Sequence, residues 1–209
     1  MKSRQTQETL IVFTRYPQPG TTKTRLVKAL GEQGAADLQR KLAEHTLAQV
    51  RPLLQIRQVK LVVYFAGGSE IQMQEWLGTG ICYREQGSGN LGHRIEQACA
   101  AVFKQGVKRL VIIGTDCPGL QADHINRALE ALCHKDLVLG PATDGGYYLI
   151  GMNRENKALF TSIQWGTETV LADTIRAGNK LGLSIEILET LSDVDRPEDL
   201  RHFNHYSDI

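Results

Sequence analysis

Net charge is nearly absent from this sequence: 24 Lys and Arg residues offset 23 Asp and Glu residues, leaving +1 over 209 residues. A surface that tracks nucleic-acid phosphates needs a basic excess, so a nucleic-acid partner is not expected. A local basic pocket for one small anion stays open. Long apolar runs are also missing. No stretch approaches the ~20 residues of a membrane-spanning helix. Met1–Glu8 is polar and has no apolar signal core, so no membrane association is expected. Cysteine is scarce: Cys82, Cys99, Cys117 and Cys133 make no C-x-x-C pair, which argues against a zinc site. A chain this rich in core residues needs no disulfide framework. Reduced thiols in the cytoplasm are the expectation. The six histidines show no metal-ligand spacing. Internal repeats, low-complexity tracts and linkers are absent too. The expectation is one domain over residues 1–209, with residues 1–8 as a flexible tail. A homo-oligomer is compatible with the sequence.

What is present is alternation. Short apolar runs, Leu10–Phe13, Leu61–Phe65, Leu110–Ile113 and Leu137–Leu139, have the length and branching of strands buried on both faces. Helical patterns lie between them, at about Gln33–Val50, Leu91–Lys104 and Ala122–Leu132. Further on, Gly146–Gly151 and Ser184–Leu188 read as strands and Glu168–Leu181 as a helix, and Pro197 opens a terminal helix. Strand–helix–strand alternation predicts an α/β fold with a mainly parallel sheet and helices on both faces. Ligands then sit beyond the carboxyl ends of the strands.

The segments just after the apolar runs carry the candidate chemistry. The first is Thr14–Arg25, with Arg15, Lys23 and Arg25 as cations and Gly20 beside a threonine-rich stretch. A loop entering a helix N-terminus attracts phosphate through unpaired N–H groups, and Arg adds a bidentate grip. The run Gly20–Thr24 fails the P-loop pattern, because Thr22 and Pro17 stand where glycines are required. A solvated basic turn is the plain alternative. Asp116 follows the Leu110 strand and could instead be a turn residue. Asp144, in Asp144-Gly145-Gly146, could bind an acceptor with glycine backbone close to the ligand, or mark a simple turn. Asp193-Val194-Asp195 precedes Pro197 and could cap a helix or supply a metal ligand. Gly87–Gly92 enters a helix; Gly89 and Asn90 could admit a nucleobase or ribose, or Asn90 could be an N-cap.

Taken together and in this order, Phe13–Pro17 with Pro19-Gly20 and Lys23–Leu26, Gly89–Gly92, Gly114–Pro118, Asp144–Tyr148, Trp165–Thr167 and Asp193–Leu200 resemble the nucleotide-diphospho-sugar transferase superfamily with the GT-A fold. More closely, the chain resembles the bacterial family known as DUF2064, or arsenosugar-biosynthesis-type glycosyltransferases. The resemblance runs from about Leu10 to Leu200. It implies that Asp116 and Asp195 hold a catalytic Mg²⁺ or Mn²⁺, and that Arg15, Lys23 and Arg25 hold the phosphates of a nucleotide or nucleotide-sugar donor. The first loop departs from sugar-nucleotide-synthesising relatives, being proline- and threonine-rich where theirs is glycine-rich. Asp116 also lacks a second aspartate two residues before it; Gly114 stands there.

The expected function is glycosyl transfer from a nucleoside-diphosphate sugar to a small acceptor. Asp116 and Asp195 would hold the metal. Thr14, Arg15, Gly20, Lys23, Arg25, Gly89, Asn90 and Asp116 would bind the nucleotide, and Lys23, Arg25 and Asp144 would act in catalysis. The alternatives are nucleotidyl transfer from an NTP to a phosphorylated substrate, and nucleotide binding without turnover.

Overall fold

A computed structural model describes residues 7–200. One seven-stranded sheet has the order β3-β2-β1-β4-β6-β5-β7. The four apolar runs are β1 (Glu8–Arg15), β2 (Val59–Ala66), β4 (Arg109–Ile113) and β5 (Leu137–Pro141). β3 (Cys82–Glu85), β6 (Tyr147–Met152) and β7 (Ile185–Ile187) complete it. β6 runs antiparallel to both neighbours, and the other pairings are parallel. The α/β, mainly parallel expectation therefore holds.

β1 lies inside the sheet, between β2 and β4, and is buried on both faces. Val12 pairs with Val63 on one side and Ile113 on the other. Leu10 and Val12 pack into one apolar cluster with Leu47, Val50 and Ile125. Ile11 and Phe13 point into a second, with Ile95, Cys99 and Val102. Alternate side chains thus serve opposite faces, which is why the run is continuously apolar rather than alternating.

The helices that cover these faces are α1 (Val27–Ile56), α2 (Glu70–Leu77), α3 (Leu91–Phe103), α4 (Ala122–Ala131) and α5 (Val170–Lys180). α1 is broken at Gly31, where φ is 71° and ψ 169°. It then continues six residues past the expected end and through Pro52, because Val50 and Leu53 are fully buried. Four residues from the end, the missing N–H of Pro52 removes only one hydrogen bond.

β1 begins at Glu8, so that residue belongs to the sheet and not to a flexible tail; residues 1–6 lie outside the described residues. The Glu8 carboxylate is buried at the amino end of the sheet. It accepts from Arg57 Nε (2.6 Å) and Nη2 (2.8 Å) and from Arg109 Nε (2.7 Å). Burial alone would raise its pKa, but the two guanidinium groups outweigh it and hold the carboxyl below its ordinary range. All four cysteines are free; Cys99 and Cys117 are buried, while Cys133 is exposed. No helix among the described residues is long and apolar enough to cross a membrane.

Candidate active site

Beyond the carboxyl ends of β1, β4 and β5 lies an open cleft of about 920 Å³. Of the residues singled out from the sequence, Thr14, Arg15, Lys23, Arg25, Asp116, Asp144 and Asp195 line it. Gly20, Gly89 and Asn90 do not. Gly20 makes a turn at φ 76° against Glu32. Asn90 is the N-cap of α3, its side chain accepting from His93 N at 2.9 Å. Gly89, at φ 98°, turns the chain against His93; these three residues thus lie outside the cleft lining and serve a turn, a turn and a cap.

The first loop folds back on itself before entering α1. Thr22 Oγ1 donates to the Tyr16 carbonyl at 3.0 Å and accepts from Gln18 N at 3.3 Å. This closure puts Lys23 at φ 50° and ψ 43°, the left-handed region. A non-glycine residue there costs about 1–2 kcal/mol. The cost is met by what the conformation reaches. The Lys23 side chain is only 4% exposed, and its Nζ lies 2.6 Å from Asp116 Oδ1. Nζ is also 3.9 Å from Asp195 Oδ1 and donates to the Val194 carbonyl at 2.6 Å. Arg25 pairs with Asp195 from the solvent side. Val194 N donates to the Asp116 carbonyl at 2.8 Å, tying the last loop to the end of β4. Cations from the start of the chain, a carboxylate from its middle and one from its end thus meet at one point.

That point tests the expected metal. Among the described residues no group of three or more His, Cys, Asp or Glu side chains is placed to hold an ion. Asp116 and Asp195, however, both converge on one cation, the Lys23 ammonium. Two hard carboxylates facing an open cleft fit Mg²⁺ or Mn²⁺, which take one or two carboxylates and complete the shell with phosphate oxygens and water.

A second carboxylate pair lies on the β5–β7 side. Asp193 is buried, and its Oδ1 accepts from Thr143 Oγ1 at 3.0 Å. Burial first, and then the charge of Asp144, push its pKa up. Asp144 itself is exposed and accepts from Gly146 N at 2.8 Å, so it closes a local turn and still faces the cleft. The close backbone approach expected of Gly145 is made to the chain itself: φ is +88°, and a Cβ would overlap the Glu168 backbone. That contact seats the turn against the start of α5, where Leu171 N donates to the Gly145 carbonyl at 2.9 Å.

Three polar residues not singled out from the sequence complete the floor. Buried Gln39 reaches from α1 to Thr14 Oγ1 (3.2 Å) and Thr115 Oγ1 (3.4 Å). Gln86 Nε2 donates to the Thr14 and Tyr64 carbonyls, both at 3.0 Å. Arg94 Nη1 donates to Gln86 Oε1 at 2.7 Å. Asp193 was visible only as part of its segment. The one signal for the rest was their place just after a strand or on a helix entering the site. Trp165 lies over Gly92, where a Cβ would overlap the indole, and next to Phe160 and Tyr147.

The family model for "Uncharacterized protein conserved in bacteria (DUF2064)" matches residues 46–167. Among curated proteins, none matches. Among solved structures, a candidate nucleotide-diphospho-sugar transferase from Desulfovibrio desulfuricans G20 is similar at 30% identity and TM-score 0.85, covering 91% of this chain and 83% of that one. The 4-diphosphocytidyl-2C-methyl-D-erythritol synthase of Anaerococcus prevotii DSM 20548 is similar in fold, at TM-score 0.63 and 10% identity over 97% of this chain and 99% of that one. So is glucosyl-3-phosphoglycerate synthase from Mycobacterium tuberculosis, solved with Mn²⁺, uridine diphosphate and glucosyl-3-phosphoglycerate; its TM-score is 0.57 and its identity 13%, over 94% of this chain and 75% of that one. With a family model matched over more than half its length and a 30% identical structure superposing at TM-score 0.85, the chain belongs to the bacterial DUF2064 family and has the nucleotide-diphospho-sugar transferase fold.

Proposed function

We propose that this chain is a metal-dependent glycosyltransferase that moves a sugar from a nucleoside-diphosphate sugar to a small acceptor. The observation that carries the reading is the meeting of Lys23 and Arg25 with Asp116 and Asp195 in one cleft. Such a site holds a diphosphate, since it offers both full positive charges and hard oxygen ligands. The structures with nucleotides and Mn²⁺ on the same fold support it, as does the 30% identical relative.

In this reading the bond from the anomeric carbon to the diphosphate oxygen breaks, and the acceptor oxygen bonds to that carbon. Asp116 and Asp195 would hold a Mg²⁺ or Mn²⁺ ion, which would supply charge neutralisation for the leaving diphosphate. Lys23 and Arg25 add to that neutralisation, and their pairing with the two aspartates holds them in place beforehand, so little reorganisation is needed as charge develops. The acceptor's proton goes to the Asp144–Asp193 carboxylate pair. Asp144, the exposed member, contacts the acceptor. Burial and then the charge of Asp144 raise the proton affinity of Asp193 above that of an ordinary carboxylate, which suits a proton acceptor. Four free cysteines suit a reducing, cytoplasmic setting.

The test is turnover of nucleoside-diphosphate sugars with Mg²⁺ or Mn²⁺, in the unsubstituted chain and in Asp116→Asn and Asp195→Asn. The expectation is release of nucleoside diphosphate, reduced at least about a hundredfold by either change. Undiminished turnover in both variants overturns the assignment. Release of pyrophosphate from an NTP with a phosphorylated substrate would assign nucleotidyl transfer instead. Nucleotide binding without any turnover would make the protein a binder.

A further inference from the structure

Three cations lining the cleft stand outside the diphosphate site: Arg196, which follows Asp195 in the chain, and Arg15 and Arg94, which come from elsewhere. Arg15 is the last residue of β1, and Arg94 lies in the first turn of α3; both line the cleft. Lys23 and Arg25 are paired with carboxylates, but among the described residues Arg15 and Arg94 have no carboxylate partner within 4.0 Å. They also feel each other. Burial first, and then the Arg15 charge, lower the pKa of Arg94. Two like charges brought together in a partly desolvated cleft are unfavourable unless an anion joins them.

The Arg94 guanidinium is aimed by a buried scaffold. Gln86 is 7% exposed. Its Nε2 is engaged by two backbone carbonyls and its own N–H donates to the Phe65 carbonyl at 2.9 Å. With both carbonyls calling for the amide nitrogen, Gln86 Oε1 must face the other way, and there it accepts from Arg94 Nη1 at 2.7 Å. Apart from that bond and a long 3.5 Å contact from Nε to the Asn90 carbonyl, the guanidinium's donors are available. Asp116, Asp144, Asp193 and Asp195 come from the segments after β4, β5 and β7, where Arg196 follows them, while Arg15 and Arg94 come from β1 and the helix after β3.

We infer that Arg15 and Arg94 form a second anion subsite that takes a phosphoryl group without a metal, with Gln86 as the positioning residue. Two guanidinium groups match the several equivalent oxygens of a phosphoryl group, each able to donate more than one hydrogen bond. A neutral base or sugar would leave the pair uncompensated. The inference rests on the transferase reading for its setting, and it names a group that donor or acceptor would carry in addition to the metal-bound diphosphate.

The test is calorimetric titration of the metal-free full chain with inorganic phosphate, which needs neither metal nor turnover and so can fail or succeed apart from the transferase reading. The expectation is that Arg15→Gln and Arg94→Gln each weaken phosphate binding about tenfold and reduce its salt dependence. Arg94→Lys should recover part of the loss, since it restores charge but not the fork. Gln86→Met should weaken binding while keeping the salt dependence, because both charges remain; a merely structural role would lower the melting temperature without that pattern. No phosphate uptake by the unsubstituted chain at tens of millimolar, or undiminished uptake by both arginine variants, overturns the inference. Adding uridine diphosphate then identifies the source. Displacement of phosphate assigns the group to the donor, and simultaneous binding assigns it to the acceptor.

Discussion

The buried ammonium of Lys23 yields the sharpest prediction. Lys23→Met keeps the length and apolar stem of the side chain and removes its charge and donors. Val194 then loses a 2.6 Å hydrogen bond from a charged donor, which is worth about 1.5–3 kcal/mol. Asp116 loses its 2.6 Å partner, but its side chain is 49% exposed, so water restores most of that loss and the small value of exposed ion pairs applies. The left-handed backbone remains, so no strain is released. The net cost is about 2 kcal/mol. For a domain of this size each kcal/mol moves the melting temperature by about 2–4 °C, giving a fall of about 4–8 °C. The substitution should also change the response to metal. With the ammonium gone, Asp116 has no cation beside it among the described residues and Asp195 keeps only Arg25, so Mg²⁺ or Mn²⁺ should raise the melting temperature of the variant more than that of the unsubstituted chain, by mass action. Differential scanning calorimetry in chelator and in excess Mg²⁺ reads both effects. A variant that melts within about one degree of the parent, with the same gain from metal, would refute the placing of Lys23 between the two carboxylates.

Two further predictions concern other parts of the cleft. The pKa of Asp193 is raised above the ordinary 3.8, by burial and then by Asp144, so the folded chain holds this proton more tightly than the unfolded chain. Stability is unaffected by it below 3.8 and falls as pH rises through the raised value; Asp193→Asn, which can keep the Thr143 bond, should therefore be increasingly stabilising relative to the parent from acid to neutral pH in urea melts, and a difference independent of pH would contradict the shift. Gly92→Ala puts a methyl group where the Trp165 indole lies. Overpacking of this kind costs about 1–3 kcal/mol, and in a Trp76→Phe background the emission of Trp165 should shift towards that of exposed tryptophan; unchanged emission and stability would mean the indole does not rest on α3.

Legibility in the sequence followed burial. β1, β2, β4 and β5 could be read directly, because strands covered on both faces are apolar at every position. β3 (Cys82–Glu85) could not: it is an edge strand with only Tyr83 buried. α2 was missed for a similar reason, since only Met73 among its eight residues is buried. Its start was nevertheless encoded in the capping box between Ser69 and Gln72.

The rule that ligands gather beyond strand ends, together with residue chemistry, was sufficient to single out Lys23, Arg25, Asp116 and Asp195, which the structure brings into one cleft, because a carboxylate or a cation after an apolar run is recognisable in isolation. The rule could not choose among glycines and asparagines, so Gly20, Gly89 and Asn90 were drawn in although local turns and a helix cap use them. Nor could it find Arg94 or the role of Gln86, which depends on the carbonyls of Thr14 and Tyr64, 72 and 22 residues away. The amino-acid sequence by itself determined the buried strands and the kinds of charge at their ends, since those depend on local pattern. Which charge neutralises which was decided by the tertiary structure alone. Lys23 meets the Val194 carbonyl across 171 residues and Arg25 meets Asp195 across 170, and electrostatic pairing depends on distance in space, which folding sets and chain order does not.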